Sequence, residues 1–276
     1  MPLNPPQKNW QGKVVWVVGA SSGIGRATAS ALHANGARLI VSARSERALK
    51  DFVGEHSGAV SLPLDVTDIA AVRTAASRVI RERGLNCLVY SAAHYREMSA
   101  QTFNLDDLNR HLQVNYGGFV GILETVVPYF LQRSEQTPRP PLHISVIGSV
   151  AGYSGLPKSL AYGPTKAALI NLAETLYVDL HGHGIGVSLI SPGFVATPLT
   201  AHNNFRMPAL ISPEQAAIEI LHGWSKGEFE IHFPKKFTWW LKVLKAMPYR
   251  LSFAATRTLT VSPEAMASRP ALGKPE

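Results

Sequence analysis

Apolar runs of strand length, separated by stretches of helix length, constrain the fold of this chain more than any other feature. Six runs are rich in Val, Ile and Leu and alternate little with polar residues: KVVWVVGA, RLIVSA, AVSLPLDV, NCLVYSA, LHISVIG and GVSLISPG. That pattern is typical of parallel strands covered on both faces. Helical patterns separate them, at 24–35, 46–55, 69–83, 105–132 with a break near 114–118, and 161–181. The alternation predicts an α/β fold with a doubly wound parallel sheet, Rossmann-like.

The pattern loses its regularity after the sixth run, and a basic aromatic segment follows. It resumes as a helix over 213–224 and a strand FEIHFP. We therefore expect one dinucleotide-binding and catalytic domain over 1–234 and a C-terminal helical extension over 235–276. No run reaches the roughly 18 apolar residues of a spanning helix. The start of the chain lacks the apolar centre of a secretory signal, and a single cysteine, Cys87, fits a reducing compartment. These features predict a cytoplasmic protein, and no cluster of metal ligands stands out.

The formal charge of +8 is concentrated near the C-terminus. Residues 231–263 contain no acid and six cations: Lys235, Lys236, Lys242, Lys245, Arg250 and Arg257. The rest of the chain is therefore close to neutral. A basic protein invites a nucleic-acid hypothesis, but this distribution requires no nucleic-acid partner.

A glycine-rich turn, GASSGIGRATASAL, directly follows the first strand. Gly19, Gly23 and Gly25 permit a tight turn, close approach of backbone amides to a pyrophosphate, and close packing of the helix. The helix N-terminus adds the positive end of a dipole. A P-loop lysine is absent, which disfavours a nucleoside triphosphatase. The turn predicts a dinucleotide site.

The same letters, GASSG, also match the nucleophile elbow of esterases, with Ser21 as the nucleophile. This alternative leaves Gly25 without a purpose. The strand also begins close to the start of the sequence, so little chain precedes it to build an oxyanion hole. We keep a serine esterase as the less favoured alternative.

The residue after the second strand bears on which dinucleotide binds. NAD sites place an acid there, whereas NADP sites offer an arginine to the 2′-phosphate. Here the strand ends SARSER, which supplies Arg44, with Arg47 a turn later, so we expect NADP. Asp65, after the third strand, can accept a hydrogen bond from adenine or cap the next helix, for which Asp68 is better placed.

Tyr162 and Lys166 stand four residues apart in LAYGPTKAAL. Residues at i and i+4 share a helix face, and Pro164 is tolerated only in a first turn, which places Tyr162 at the helix start. A phenol beside an ammonium can serve as a proton donor and acceptor, because a neighbouring positive charge lowers the pKa of the phenol toward neutral.

With these motifs, residues 13–234 resemble the short-chain dehydrogenase/reductase family. The shared features are VGASSGIG, Asp65, Asn115 in QVNYGG, Ser149 thirteen residues before Tyr162, and the PG turn at Pro192. The resemblance implies hydride transfer between a nicotinamide cofactor and a ketone or secondary alcohol. In that reaction Tyr162 is the general acid/base and Lys166 tunes it and holds the nicotinamide ribose. Ser149 polarises the carbonyl, and Asn115 holds a water that links Lys166 to solvent.

The resemblance also implies the cofactor contacts and the assembly. Beyond the three glycines, Arg44, Asp65, Tyr162 and Lys166, the expected cofactor-binding residues are Ser21, Ser22, Ile24, Val66, Ala92, Pro192, Gly193, Val195 and Thr197. Family members are commonly homodimers or homotetramers. The chain departs from the family at Val18, usually threonine, and at YSAA (Tyr90–Ala93), usually NNAG. We expect these changes to affect cofactor affinity more than catalysis.

The basic aromatic segment lies outside the shared motifs. Projected as a helix, one face carries Phe237, Trp240, Leu241, Val243, Leu244 and Met247, and the other carries Lys235, Thr238, Lys242 and Lys245, with Lys236 as a misfit. This pattern is typical of peripheral membrane contact through 235–257. A cover for the cleft, a subunit contact and an ordinary terminal helix are the alternatives.

The sequence as a whole predicts an NADPH-dependent oxidoreductase that interconverts a ketone and a secondary alcohol. A lid over 195–210, with Phe205, Met207 and Leu210, indicates a lipophilic substrate. A non-catalytic NADP(H)-binding sensor remains an alternative. So does an epimerase or dehydratase that reuses the tyrosine and lysine, although those chains usually carry a longer substrate domain.

Overall fold

The computed structural model describes residues 1–201 and 207–258. Its centre is a seven-stranded parallel sheet with strand order β3-β2-β1-β4-β5-β6-β7. The strands are β1 (Val14–Val18), β2 (Arg38–Ser42), β3 (Val60–Ser61), β4 (Cys87–Tyr90), β5 (Leu142–Ile147), β6 (Ile185–Pro192) and β7 (Glu230–Phe233). The predicted doubly wound sheet is confirmed.

Helices connect the strands and cover both faces. They are α1 (Gly23–Ala34), α2 (Glu46–Glu55), α3 (Ile69–Arg83), α4 (Leu105–Leu112), α5 (Gly118–Ser134), α6 (Tyr162–His181), α7 (Pro213–Lys226), α8 (Lys235–Ala246) and α9 (Tyr249–Thr258). A π-helical turn, Gln113–Gly117, joins α4 to α5, close to the predicted break. No helix among the described residues has the length and apolarity needed to cross a membrane.

Successive residues of each strand face opposite layers, so the chain has one apolar core on each side of the sheet. In β1, Trp16 and Val18 pack with α3, α5 and α6. Val15 and Val17 pack with α1, α2 and α7. The strand order reverses between β1 and β4, and this switch point opens a crevice at the carboxyl edge of the sheet.

The third strand is shorter than the run AVSLPLDV predicts. Pro63 lies two residues after its last residue, and a proline cannot donate a ladder hydrogen bond. The backbone amides of Leu62 and Leu64 still bond to the carbonyls of Val41 and Ala43, at 2.9 and 3.0 Å. Asp68 caps α3 by accepting a hydrogen bond from Ala71 N at 2.9 Å, as the sequence predicts.

Burial on α8 does not follow the division into an apolar and a lysine-bearing face. Thr238, expected on the polar face, is buried, because its hydroxyl bonds with His232 Nδ1 at 2.6 Å. On the predicted apolar face, Trp240, Val243 and Met247 are exposed, whereas Leu241 and Leu244 are buried. The reason is that the helix rests on β7 along a narrow stripe, which includes Leu241, and the rest of its apolar arc faces solvent.

Candidate active site

A groove of about 410 Å³ runs along the carboxyl edge of the sheet. The loops that follow β1 to β6 form its walls. The sequence-predicted residues that line it are Gly19, Ser21, Ser22, Gly23, Ile24, Arg44, Asp65, Val66, Ala92, Ser149, Tyr162, Lys166, Pro192, Gly193, Val195 and Thr197. Gly25 and Asn115 do not line it. Phe205 of the predicted lid lies outside the described residues.

The glycine-rich turn after β1 requires glycine, because a side chain at two of its positions would collide with the backbone. Gly19 has a φ of +93°, and a Cβ there would stand 2.4 Å from Ala92 N. A Cβ on Gly25 would stand 2.2 Å from the carbonyl oxygen of Gly19. Gly25 therefore lets α1 pack under the turn, and Gly19 lets the turn approach the loop after β4.

The N-terminus of α1 opens into this groove without a capping group of its own. The side chain of Ser22, the N-cap, makes no capping hydrogen bond, and the first turn contains no acid. Unsatisfied amides and the helix dipole favour an anion at such a position. With the bare glycine cradle, these features fit the pyrophosphate of a dinucleotide.

Arg44 and Asp65 stand at the β1–β3 end of the groove. Arg44 is exposed and has no ion-pair partner within residues 1–201 and 207–258. Asp65 Oδ1 accepts hydrogen bonds from Thr67 N at 3.0 Å and Thr67 Oγ1 at 2.8 Å. The backbone bond from Thr67 lowers the pKa of Asp65 most, and the charge of Arg44 also lowers it. This end thus offers an unpaired cation and an ionised acid.

Tyr162 begins α6 at the other end of the groove, as Pro164 predicts. Burial raises the pKa of its phenol above the ordinary range, a hydrogen bond with Ser149 partly offsets that rise, and the nearby Tyr95 adds to it. The rings of Tyr95 and Tyr162 meet edge to face, with centroids 5.0 Å apart. Tyr162 is therefore a protonated phenol in hydrogen-bond contact with a serine hydroxyl.

Lys166 is 1% exposed, one turn along the helix from Tyr162. Its Nζ lies 5.4 Å from the centroid of the Tyr162 ring and donates a hydrogen bond to the Ile147 carbonyl at 2.8 Å. Burial lowers the pKa of Lys166 to about 7. The sequence-based expectation that this ammonium lowers the pKa of Tyr162 does not hold in the chain alone. Desolvation acts on both groups and favours the neutral form of each.

Asn115 is fully buried in the π-helical turn. Its Oδ1 accepts from His94 N at 2.7 Å, and its Nδ2 donates to His94 O at 3.1 Å and Thr165 Oγ1 at 3.0 Å. The amide thus ties the loop after β4 to α6, which carries Tyr162. In the chain alone it reaches no groove atom.

Tyr90, which departs from the family motif, is accommodated beneath the same turn. Its ring packs against Phe119, and its hydroxyl donates a hydrogen bond to the carbonyl of Val114. A Cβ on Gly118 would stand 2.6 Å from that hydroxyl. The glycine and the π-helical turn therefore create the space for the tyrosine.

Sequence reasoning missed several polar groups near Tyr162. Tyr95 lines the groove, and His94 bonds through Nε2 to Asp107 Oδ1 at 2.7 Å. His111 Nδ1 bonds with Asp107 O at 2.7 Å, and its Nε2 accepts from Arg96 N at 3.1 Å. Both nitrogens of His111 are thus engaged, so the cluster is built for hydrogen bonding rather than for a metal ion. Only the position of His94 and Tyr95 shortly after β4 could have pointed to these groups.

Three comparisons place the chain among known proteins. Residues 13–207 match the family model described as short chain dehydrogenase. An uncharacterized oxidoreductase of Myxococcus xanthus is 32% identical over 249 residues, 88% of this chain and 96% of that protein. The 3-oxoacyl-(acyl-carrier-protein) reductase FabG of Escherichia coli is 31% identical over 196 residues, 70% of this chain and 77% of that protein.

A solved structure agrees on the fold. A short-chain dehydrogenase from Streptomyces avermitilis is 24% identical, with a TM-score of 0.77 over 91% of this chain and 97% of that one. The family match covers more than half of the chain, together with the glycine turn, Ser149, Tyr162 and Lys166. The chain belongs to the short-chain dehydrogenase family of oxidoreductases.

Proposed function

We propose that the protein is an NADPH-dependent oxidoreductase that interconverts a ketone and a secondary alcohol. The arrangement of Ser149, Tyr162 and buried Lys166 at one end of the groove carries the proposal. The glycine cradle and the uncapped N-terminus of α1 occupy the same groove and would hold the cofactor.

The nicotinamide supplies or accepts a hydride when bound, and the protein's own residues handle the proton. Tyr162 is protonated at neutral pH because burial raises its pKa, so its phenol can donate a proton to the carbonyl oxygen of a ketone. The Ser149 hydroxyl, already in contact with the phenol, can donate a second hydrogen bond to the same oxygen. Lys166, with a pKa of about 7, can gain or lose a proton at neutral pH. In the chain as described, both hydroxyls are therefore set to assist reduction of a ketone to an alcohol.

Arg44 supports NADPH over NADH. It follows β2, where an NAD site would carry an acid, and it lines the groove without an ion-pair partner among the described residues. A 2′-phosphate is the kind of dianion that an unpaired guanidinium binds.

A lipophilic carbonyl compound is the substrate class we favour. Leu199 lines the groove, and Met207 and Leu210 follow in the segment predicted as a lid. The relative from Escherichia coli is named for a 3-oxoacyl substrate. A ketone on an apolar chain fits both observations.

The central test compares the removal of two phenols from one groove. Tyr162→Phe should lower kcat for NADPH-dependent ketone reduction by about 10²–10⁴. Tyr95→Phe, the matched control, makes the same chemical change beside it and should keep kcat within severalfold. Equal rates for wild type and Tyr162→Phe would refute the role of Tyr162. NADPH binding without turnover on a broad ketone panel would favour the sensor. Ester hydrolysis that Ser21→Ala abolishes would favour the esterase, although no histidine within residues 1–201 and 207–258 hydrogen-bonds Ser21.

A second comparison tests the cofactor. Arg44→Ala should raise KM for NADPH at least tenfold and leave KM for NADH nearly unchanged, since a charged contact contributes about 1.5–3 kcal/mol. Arg47→Ala removes a neighbouring exposed arginine that does not line the groove, and it should change neither KM. An equal effect of Arg44→Ala on both cofactors would refute NADPH selectivity.

We infer that the protein forms a homo-oligomer through α6, since members of this family are commonly oligomeric. Val178 on this helix is 74% exposed, so its side chain is available for a subunit contact. Val178→Glu should shift the molar mass measured by light scattering to that of a smaller assembly. An unchanged mass would place the contact elsewhere.

A further inference from the structure

The end of the described chain exposes an uncommon number of large apolar side chains. On α8 they include Trp239, 58% exposed, Trp240, 48% exposed, and Val243, 53% exposed. Met247, Tyr249, Leu251 and Phe253 continue the exposure through α9. Exposed apolar patches of this kind mark interaction sites.

The exposed large apolar residues of α8 lie on one face. At 3.6 residues per turn, Lys236, Trp239, Trp240, Val243 and Met247 fall within an arc of about 100°. The opposite side of the helix is anchored. Thr238, Leu241 and Leu244 are buried there, and Lys242 Nζ bonds to Glu230 at 2.5 Å. We call the outward arc, together with the exposed side chains of α9, the α8–α9 face.

The charge on this face has one sign. Lys235 and Lys242 pair with Glu228 and Glu230, whereas Lys236 on the outward arc and Arg250 on α9 have no carboxylate partner within the described residues. The sequence contains no acid from 231 to 263. Unpaired cations beside exposed tryptophans therefore define the chemistry of the face.

We propose that the α8–α9 face docks on a lipid bilayer that carries anionic headgroups. Tryptophans lie at the boundary of headgroups and acyl chains, and lysines extend from the same level toward lipid phosphates. Anionic leaflets attract basic segments. A two-fold contact with a second copy would instead bring the same unpaired cations together without acids to neutralise them.

The docking face is connected to the proposed active site. Phe237 at the start of α8 packs on the turn after β6, where a Cβ on Gly193 would stand 2.9 Å from its ring. Tyr153, four residues after Ser149, donates a hydrogen bond to Glu230, the partner of Lys242. Docking through α8 would therefore bring the nicotinamide end of the groove to the lipid surface. This consequence rests on the proposed function and deepens it, because a lipophilic carbonyl compound could then enter from the bilayer.

Flotation of the full-length protein with vesicles tests the proposal without any need for turnover. The probes are phosphatidylcholine vesicles with and without added phosphatidylserine. Wild-type protein should float with the anionic vesicles, and the bound fraction should fall with added salt. Recovery at the bottom of the gradient with the anionic vesicles would overturn the proposal, and so would equal binding to both vesicle types.

Matched variants locate the contact. Trp239→Ser with Trp240→Ser should lower vesicle partitioning about tenfold or more. Ile218→Ser, which removes an apolar side chain of similar exposure from α7, should leave it unchanged. The loss of one cation should lower partitioning roughly fivefold, and Lys236→Glu, which also adds a negative charge, should lower it further. Lys8→Glu, at an exposed lysine remote in sequence, should leave partitioning unchanged.

Two readouts separate the remaining outcomes. NADPH binding by the tryptophan variant should match wild type, which shows that lost flotation is not lost folding. If the variant falls apart into smaller assemblies in sedimentation velocity, the face is a subunit contact and the membrane proposal is refuted. Flotation that succeeds while the ketone panel fails would preserve this inference and remove only the proposed reaction.

Discussion

Replacement of Lys166 by methionine should stabilise the protein at mildly acid pH while it abolishes activity. Methionine keeps most of the volume and apolar stem of lysine but carries no charge. Lys166 is buried, and the only hydrogen bond of its ammonium within the described residues goes to the Ile147 carbonyl. An ammonium in such surroundings loses most of its hydration and gains little in return.

The size of the effect follows from the pKa. Folding lowers the pKa of Lys166 from an ordinary 10.5 to about 7. At about 1.4 kcal/mol per pH unit, this corresponds to about 5 kcal/mol lost whenever the lysine is charged in both states. The methionine variant leaves the Ile147 carbonyl unpaired, at a cost of about 1–3 kcal/mol. The net expectation is a gain of about 2–4 kcal/mol in unfolding free energy at pH 6.

The pH dependence has a defined sign. Between pH 7 and pH 10.5 the unfolded lysine holds a proton that the folded lysine has lost. The unfolded state therefore binds more protons, and wild-type stability rises with pH across this window. The stability that wild type gains from this difference in proton binding is fully present above pH 10.5, falls as the pH decreases, and is gone below pH 7. Lys166→Met lacks it, so its advantage over wild type should shrink by about 3 kcal/mol between pH 6 and pH 9.5.

Urea unfolding without cofactor, at pH 6 and pH 9.5, measures both quantities. Other titrating groups are common to the two proteins and cancel in the difference. Lys50→Met, at a lysine whose side chain is 76% exposed, is the control and should show no pH-dependent difference from wild type. A Lys166→Met variant that is less stable than wild type at pH 6, or a difference that does not change with pH, would refute the account of a buried, poorly compensated ammonium.

Three further substitutions test the surroundings of the site. Tyr90→Phe removes the hydrogen bond to the Val114 carbonyl, and we expect unfolding free energy to fall by about 1–3 kcal/mol in urea titrations. Asp107→Ala releases the His94 ring, whose backbone holds the buried asparagine. We expect kcat to fall on the order of tenfold with little change in KM, measured by steady-state kinetics. Gly19→Ala places a Cβ 2.4 Å from the backbone after β4, so NADPH affinity, measured by fluorescence titration, should fall at least tenfold.

Sequence patterns predicted the central elements well because their periodicity is strong. The bounds of α2 and α3 coincide with the predicted 46–55 and 69–83, and Ser45 and Asp68 cap these helices through their side chains. Capping depends on neighbours in sequence, so it can be read from sequence. The same holds for the start of α6, which Pro164 fixes.

Features that depend on neighbours in space could not be predicted. A helical projection of α8 separates apolar from polar residues, but it cannot show that Thr238 meets His232 across the turn from β7. The direction of the pKa of Tyr162 is a second example. Spacing places Lys166 beside the phenol, whereas burial, which dominates both pKa values, is a property of the assembled core.

The departure from the family motif at Tyr90 shows how the two levels meet. From sequence, a bulky tyrosine in place of a small polar motif residue argues against a well-formed cofactor site. In the structure its hydroxyl bonds to the Val114 carbonyl of the π-helical turn, one residue before Asn115. The side-chain amide of Asn115 in turn makes two hydrogen bonds with the backbone of His94, one as acceptor and one as donor. Tyr90 therefore braces the turn that carries the expected relay residue, and loss of its hydroxyl should lower stability and cofactor affinity before it alters the proton chemistry of Tyr162.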